Sequence, residues 1–200
     1  FIHALKRIVK LIPAKRQTLF FSATMPPTIK SLADTYLTNP AEVSVAPVAT
    51  TAERVEQQVT FVNQAEKPAL LTLFFQSTKI DRALVFTRTK HGADKVVRQL
   101  AAAGIAANAI HGNKSQPQRE RALGLFRSGE VPILVATDIA ARGIDIPGVS
   151  HVINFDLPNV PEQYVHRIGR TARAGADGIA IAFCGEDERA YLRDIEKLTR

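Results

Sequence analysis

The stretch Ile133-Leu134-Val135-Ala136-Thr137-Asp138 shows the pattern that decides the fold of this chain. Four apolar residues end abruptly in two polar ones, and Ala83–Thr87 repeats the design. Strands without polar alternation are typical of parallel sheets that are buried on both faces. Segments with helical spacing of apolar residues lie between them. The sequence therefore predicts an α/β protein, a parallel sheet with helices on both faces.

The regular alternation begins near residue 55. Strands are predicted at Val55–Val62, Ala83–Thr87, Ala106–Ile110, Ile133–Thr137, His151–Phe155 and Gly178–Cys184, and helices at Lys67–Ser77, Lys90–Ala103, Gln116–Ser128, Pro161–Ile168 and Glu186–Leu198. Before residue 55, we predict a helix that begins at Ile2 and is stopped by Pro13, followed by a strand at Gln17–Phe21. A second helix opens at Pro26-Pro27 and runs to Tyr36, and a short strand is predicted at Val43–Val45. Residues 46–56, which begin with an uncharged stretch, are predicted to be a linker, with a surface loop as the alternative.

Composition narrows the class of protein. The 200 residues carry a formal charge of +7, which favours a polyanionic partner. The single cysteine, Cys184, excludes a disulfide framework and lies in an apolar run, so we expect it to be buried. No apolar run approaches the ~20 residues that span a bilayer. Because the chain opens at Phe1 without a signal peptide, we expect a cytoplasmic protein cut from a longer one.

The chain has no phosphate-binding loop that we can identify. Such a loop needs Gly-x4-Gly-Lys-Ser/Thr, and in the nearest stretch, Asn108–Ser115, asparagine stands at both glycine positions. The acidic stretch Asp187–Ala190 lacks the last acid of a magnesium-binding Asp-Glu-x-Asp. We therefore expect that the chain does not hydrolyse a nucleotide alone.

The run from His166 to Arg173 nevertheless carries three arginines. Arginine binds phosphate oxygens through a planar and permanently charged fork. On a helix, Arg167, Arg170 and Arg173 would form one cationic ridge, and Gly169 and Gly175 would let the backbone depart from a surface helix. The alternative interpretation is a solvated basic helix end.

Two other clusters follow predicted strands. Thr137-Asp138 is either an ordinary helix cap or a hydroxyl and turn that face a phosphate, with Asp145 able to accept from a sugar hydroxyl. His111-Gly112 is the weaker signal, because a lone histidine after a strand is usually a polar surface residue.

Six phenylalanines lie inside apolar runs, namely Phe20, Phe21, Phe74, Phe75, Phe86 and Phe183. A base-stacking platform is therefore not expected, and a nucleic acid would be held by its backbone.

Taken together, these residues resemble the DEAD-box RNA helicase family over nearly the whole chain, with the bacterial RhlE-type branch as the nearest match. In family order, the matching segments are Ser22-Ala23-Thr24 (motif III), Leu84–Thr89 (motif IV), His111-Gly112 with Gln116 and Arg119, Ala136–Asp145 (motif V) and His166–Gly175 (motif VI). The resemblance implies that residues 1–45 end a first RecA-like domain and that residues 57–200 form the second. It places the phosphate loop and the magnesium site upstream.

The resemblance also implies roles for individual residues. ATP would be contacted by Gly143, Asp145, Arg170 and Arg173, with Arg173 as the principal arginine finger, and RNA phosphates by Arg88, Gly112 and Thr137. Ser22, Thr24 and His166 would couple the nucleotide site to domain closure, and Arg167 would hold its segment in place. Ala172 stands where motif VI usually has glycine, and alanine does not suit a backbone with positive φ.

The expected function is thus the C-terminal half of an ATP-dependent RNA helicase, inactive alone and acting by local, base-independent duplex separation. A DNA-acting helicase or remodeller and a non-enzymatic RNA-binding module stay open as alternatives. Without the rest of their domain, the first 45 residues are expected to be mobile or to pair with another copy of the chain.

Overall fold

The computed structural model describes residues 2–22, 25, 27–44, 54–144, 146–173 and 176–199. The chain divides into two compact units, Phe1–Ala46 and Pro47–Arg200. Most of the predicted linker, 46–53, lies outside the described residues. Val55 and Glu56, at its other end, already belong to the first strand of the second unit.

The described residues of the first unit include two helices, α1 (Ile2–Val9) and α2 (Pro27–Tyr36). Ala33 is the only buried residue among those described in this unit. The strand predicted at Gln17–Phe21 is wrong, and so is that at Val43–Val45 as far as its described residues show. An isolated strand leaves its backbone groups unpaired, and the described part of this unit offers no second strand.

The described part of the second unit is built on six strands, and all six strand predictions are confirmed to within one residue at each end. The strands are β1 (Val55–Phe61), β2 (Ala83–Phe86), β3 (Ala107–Ile110), β4 (Ile133–Ala136), β5 (His151–Asn154) and β6 (Gly178–Cys184). They form one sheet in the order β1-β6-β5-β2-β4-β3, and every pair in it is parallel.

Helices connect the strands of the sheet. They are α3 (Lys67–Ser77), α4 (Lys90–Ala102), α5 (Gln116–Ser128), α6 (Asp138–Ala141), α7 (Pro161–Ile168) and α8 (Arg189–Thr199), with a 3₁₀ turn at Glu186–Glu188 before α8. The start of α5 is fixed by a reciprocal capping box between Ser115 and Gln118. The sequence pattern missed α6, because four residues are too few to show a helical period.

Both faces of the sheet are covered, as predicted. Along β2, Leu84 and Phe86 pack with the helix residues Ala122 and Phe126 of α5, whereas Val85 packs on the other face with α3 and α4. The side chains of α7 and α8 pack on β6 through Ala180, Ala182 and Cys184. Register pairs Leu84 with Val152 and Val152 with Ala180, so α5, α7 and α8 cover the same face.

Cys184 is buried in this core, as expected, and burial raises the pKa of its thiol. A buried, protonated thiol has a packing role rather than a nucleophilic one. Among the helices that the structure describes, none is both long enough and apolar enough to cross a bilayer.

Candidate functional site

The three residues predicted to contact RNA follow three neighbouring strands. Arg88 comes after β2, Thr137 after β4 and Gly112 after β3, and these strands are adjacent in the order β2-β4-β3. Backbone hydrogen bonds continue past the strand ends, from Thr87 N–H to Ala136 O (3.0 Å) and from Thr137 N–H to Ile110 O (3.4 Å). The three segments therefore form one edge at the carboxyl ends of the strands, where ligands bind in open α/β sheets.

Thr137 occupies the position of a helix cap without acting as one. It precedes α6, but its side chain makes no capping hydrogen bond. A threonine that stabilised the helix would use its hydroxyl in this way. The capping interpretation of Thr137 is therefore not confirmed, and its contact with phosphate stays a prediction.

The Gly112 loop is supported from α4. His111 is buried, not a surface residue as its position after a strand suggested, and its Nε2 lies 3.0 Å from Asp94 Oδ1. Lys114 Nζ lies 2.9 Å from the same oxygen. Burial raises the pKa of the Asp94 carboxyl, but the hydrogen bonds and the coulombic attraction of His111 and Lys114 together outweigh burial and bring this pKa below its ordinary value. Gly112 itself is exposed at the turn of this loop.

Arg88 is held at its base and exposed at its end. Its backbone N–H donates to Asp156 Oδ2 (2.9 Å), and its Nη2 donates to Glu188 Oε1 (2.6 Å) and to Leu157 O (3.2 Å). The side chain keeps 39% of its surface exposed. A guanidinium in this state is both oriented and accessible to an anion.

Arg167 is different, because it is buried to 1% exposure. Its Nε and Nη2 donate hydrogen bonds to Oδ1 and Oδ2 of Asp138 (2.6 and 2.8 Å). Its Nη1 donates to Asn154 Oδ1 and to Asp156 O. The cationic ridge predicted from the spacing of the arginines is therefore wrong. Helix α7 ends at Ile168, so the later arginines lie beyond the helix, and Arg167 points into the core. This arginine joins the Thr137 segment to the arginine run.

Arg170 and Arg173 lie in the turns after α7, and both are partly exposed. Arg170 Nη1 donates to Ile144 O (2.9 Å), and Arg173 Nε donates to Gly169 O (2.8 Å). The first bond brings the run next to Gly143, whose φ of +75° is readily adopted by glycine, with open space where a Cβ would stand. Asp145 lies outside the described residues. Three of the four predicted ATP contacts, namely Gly143, Arg170 and Arg173, are thus described, and the first two are neighbours.

The backbone of the run turns at an unexpected residue. Gly169 has an ordinary φ of −65°, so it does not provide the departure from the helix predicted for it, and Gly175 lies outside the described residues. Ala172 instead adopts a φ of +54°. Alanine pays a steric cost in the left-handed region that glycine avoids. The chain therefore holds a strained residue directly before Arg173.

The three predicted coupling residues fall in different parts of the chain. Ser22 is exposed in the first unit and His166 is exposed in the second, while Thr24 lies outside the described residues. Their coupling role stays a prediction. Phe21 is exposed too, at 87%, although the sequence placed it in a buried strand.

No group of three or more histidine, cysteine, aspartate or glutamate side chains is arranged to hold a metal ion in the described part of the chain. The residues described here therefore do not fit a magnesium site. Sequence reasoning also missed three residues that support the site. Glu188 bonds Arg88, Lys67 bonds Glu188, and Asp94 pairs with His111 next to Gly112. No motif marks them, because each is far in sequence from the residue that it contacts.

Residues 65–175 match the family described as the helicase conserved C-terminal domain. The chain is 44% identical over all 200 residues to the DEAD-box ATP-dependent RNA helicase CshA of Bacillus licheniformis. It covers 41% of that protein, so it spans about two fifths of the length of the curated relatives that it matches. The RhlE-type branch is not confirmed, because the CshA proteins belong to a different branch.

Solved structures agree on the fold. Dbp5 of S. cerevisiae bound to RNA and ADP BeF3 superposes with a TM-score of 0.86 at 30% identity, covering 98% of this chain and 52% of Dbp5. A DEAD box protein from the hyperthermophile Methanococcus jannaschii gives 0.69 at 36% identity, covering 99% and 53%. The second unit accordingly has the RecA-like fold, and the chain belongs to the helicase conserved C-terminal domain family, with DEAD-box RNA helicases as its relatives.

Proposed function

We propose that this chain is the C-terminal half of an ATP-dependent DEAD-box RNA helicase of the cytoplasm. In this role it supplies arginines to an ATP molecule held mainly by a preceding RecA-like domain, and it binds RNA by its backbone. The arrangement at the carboxyl edge of the sheet carries the proposal. Arg88, Thr137 and Gly112 line one edge, and Arg167 links that edge to the arginine run.

The nucleotide part rests on Gly143, Arg170 and Arg173. Arg170 bonds the carbonyl of Ile144 beside Gly143, whose backbone is unobstructed. An arginine delivered to a phosphoryl group from outside the phosphate cradle neutralises charge that develops during transfer. Magnesium would neutralise charge on the phosphates when bound upstream, and this chain adds the arginines.

The RNA part rests on residue types that bind phosphate. A guanidinium, a hydroxyl and the backbone of an exposed glycine make sequence-independent contacts. Such contacts suit local duplex separation or remodelling of RNA–protein complexes on any sequence. We also propose that Ser22, Thr24 and His166 couple the nucleotide site to domain closure, and that residues 1–45 can associate with another copy of the chain.

The test uses the full-length protein that contains this chain, assayed for RNA-stimulated phosphate release. Arg173→Ala is expected to lower turnover by about 10³–10⁵-fold, the range for an arginine that stabilises the transferring phosphoryl group. RNA affinity in the absence of ATP, measured by fluorescence anisotropy, should be retained.

Arg98→Ala is the matched control, because Arg98 is an exposed arginine on α4. It should leave turnover unchanged, and the 200-residue chain alone should give the background rate. Normal turnover by Arg173→Ala would refute the finger, whereas the absence of RNA-stimulated turnover in the parent protein would favour a non-enzymatic RNA-binding module. Robust hydrolysis by the chain alone would refute the composite site.

A further inference from the structure

A buried cluster of charges lies directly behind Arg88. Glu188 has no exposed surface, and each of its carboxylate oxygens accepts a backbone N–H, from Leu157 (3.0 Å) and from Gly185 (3.0 Å). Lys67 Nζ bonds Oε2, while Arg88 Nη2 bonds Oε1 at 2.6 Å. Glu188 is therefore shared between a lysine from α3 and an arginine from the end of β2.

The cluster is balanced in charge. Lys67, which is also fully buried, donates to Phe155 O at 2.8 Å and lies 3.8 Å from Asp156 Oδ1. The two cations, Lys67 and Arg88, thus face two carboxylates, Asp156 and Glu188. The carboxylate of Glu188 can lie in the interior because it is paired with two cations and both of its oxygens are hydrogen-bonded.

Stability alone is a poor reason for such a cluster. Removing several charges from water costs as much as their attraction returns, and well-packed apolar residues of similar size often serve a core equally well. Of the two cations in the cluster, one reaches the surface, because Lys67 is fully buried whereas the Arg88 side chain is 39% exposed. The geometry of Arg88 is therefore what the cluster determines.

The guanidinium of Arg88 is held along one edge by hydrogen bonds and on one face by an aromatic ring. Nη2 of Arg88 is held by Glu188 and Leu157, and the guanidinium carbon lies 5.4 Å from the ring centroid of Tyr191. Within the described part of the chain, Nε and Nη1 make no hydrogen bond, so the opposite edge is available to a ligand. An arginine that is already ordered loses less conformational entropy when it binds a phosphate.

We propose that Glu188 is a positioning residue for RNA binding, holding Arg88 in the orientation that meets an RNA phosphate, while Lys67 pairs with the other carboxylate oxygen of Glu188. This inference rests on the proposed RNA contact of Arg88. The inference predicts a change in RNA affinity opposite in direction to the one expected from charge alone. Glu188→Gln removes a negative charge near a polyanion, so simple electrostatics predicts tighter RNA binding. Positioning predicts weaker binding.

The experiment measures the affinity of the chain for fluorescein-labelled single-stranded oligo(U), at fixed salt and at a temperature where every variant is folded. Glu188→Gln is expected to weaken binding about 3- to 10-fold, the cost of ordering one long side chain. Arg88→Gln should weaken binding at least as much. In the Arg88→Gln background, Glu188→Gln should add no further loss, because the two residues act as a unit.

Two further variants separate positioning from folding. Leu71→Ala removes a buried side chain of α3 outside the charge cluster, and it should lower stability without changing RNA affinity. If Glu188→Gln does not fold, Glu188→Gln with Lys67→Met removes the unpaired buried cation and should show the same loss of affinity.

The outcomes distinguish this inference from the function on which it rests. Unchanged or tighter binding by Glu188→Gln, with weaker binding by Arg88→Gln, would overturn the positioning role and leave the RNA contact intact. An equal loss from Glu188→Gln in both backgrounds, or an equal loss from Leu71→Ala, would also overturn it. Unchanged binding by both single variants would refute the Arg88 contact, and no binding by the parent chain would count against the proposed function.

Discussion

Arg167 and Arg88 are both arginines paired with a carboxylate, but they differ in how much of the guanidinium the protein uses. Arg167 engages all three of its nitrogens with Asp138, Asn154 and Asp156, and its guanidinium carbon lies 5.0 Å from the centroid of Phe86. The side-chain hydrogen bonds of Arg88 to the described residues use only Nη2. An arginine whose donors are consumed inside the protein joins segments, whereas one held by a single edge can bind a ligand.

The strongest test of this comparison is stability. Arg167→Met removes four hydrogen bonds and leaves Asp138 and Asn154 without their cation, so we expect the free energy of unfolding to fall by about 3 kcal/mol, the lower end for a broken buried pair. Asp138 retains 24% of its side-chain exposure, which limits the cost. Urea denaturation followed by circular dichroism gives the value.

Arg88→Met is the matched control. Glu188 keeps Lys67 and both backbone donors in that variant, and Arg88 is partly solvated, so the expected loss is at most about 1 kcal/mol. Equal losses in the two variants would remove the distinction between a joining and a binding arginine.

A smaller change in stability is expected at Ala172, which precedes Arg173 and has a strained backbone conformation. Ala172→Gly relieves the left-handed strain of about 1–2 kcal/mol but adds unfolded-state entropy worth about 0.4–1 kcal/mol. The net gain should be about 0.5 kcal/mol, seen as a rise of ~1–2 °C in Tm by calorimetry.

Ala176→Gly provides the control, since Ala176 is exposed nearby and does not have a positive φ. Only the entropic cost applies there, so its Tm should fall slightly. A fall in Tm for Ala172→Gly as well would show that the turn before Arg173 is not strained.

The success of sequence reasoning followed the range of the interactions concerned. The strands of the sheet were predictable because runs such as Ile133–Ala136 are apolar throughout, and parallel strands impose that composition. The edge carrying Arg88, Thr137 and Gly112 followed from the same pattern. Glu188 was not predictable, because it meets Arg88 across 100 residues and no motif records that contact. The Gln17–Phe21 error has the same origin, since a strand depends on a neighbour that local composition does not reveal.

Asp94 extends the comparison between the buried Arg167 and the partly exposed Arg88 to a second partly exposed ion pair. It pairs with His111 and Lys114, but 35% of its side chain is exposed. Its pKa in the folded protein is lowered, so its contribution to stability is present above its ordinary value of 3.8 and disappears as the pH falls through the folded pKa. Asp94→Asn should therefore lower stability by about 0.5 kcal/mol or less at pH 7, and by nothing at a pH below the folded pKa. Thermal unfolding at pH 7 and at a series of falling acid pH values, with the exposed Asp177→Asn as a control, measures this difference. A deficit that persists unchanged into acid would mean that Asp94 acts through its shape rather than its charge, and the pairing of cation with carboxylate would then explain Arg88 and Arg167 but not this loop.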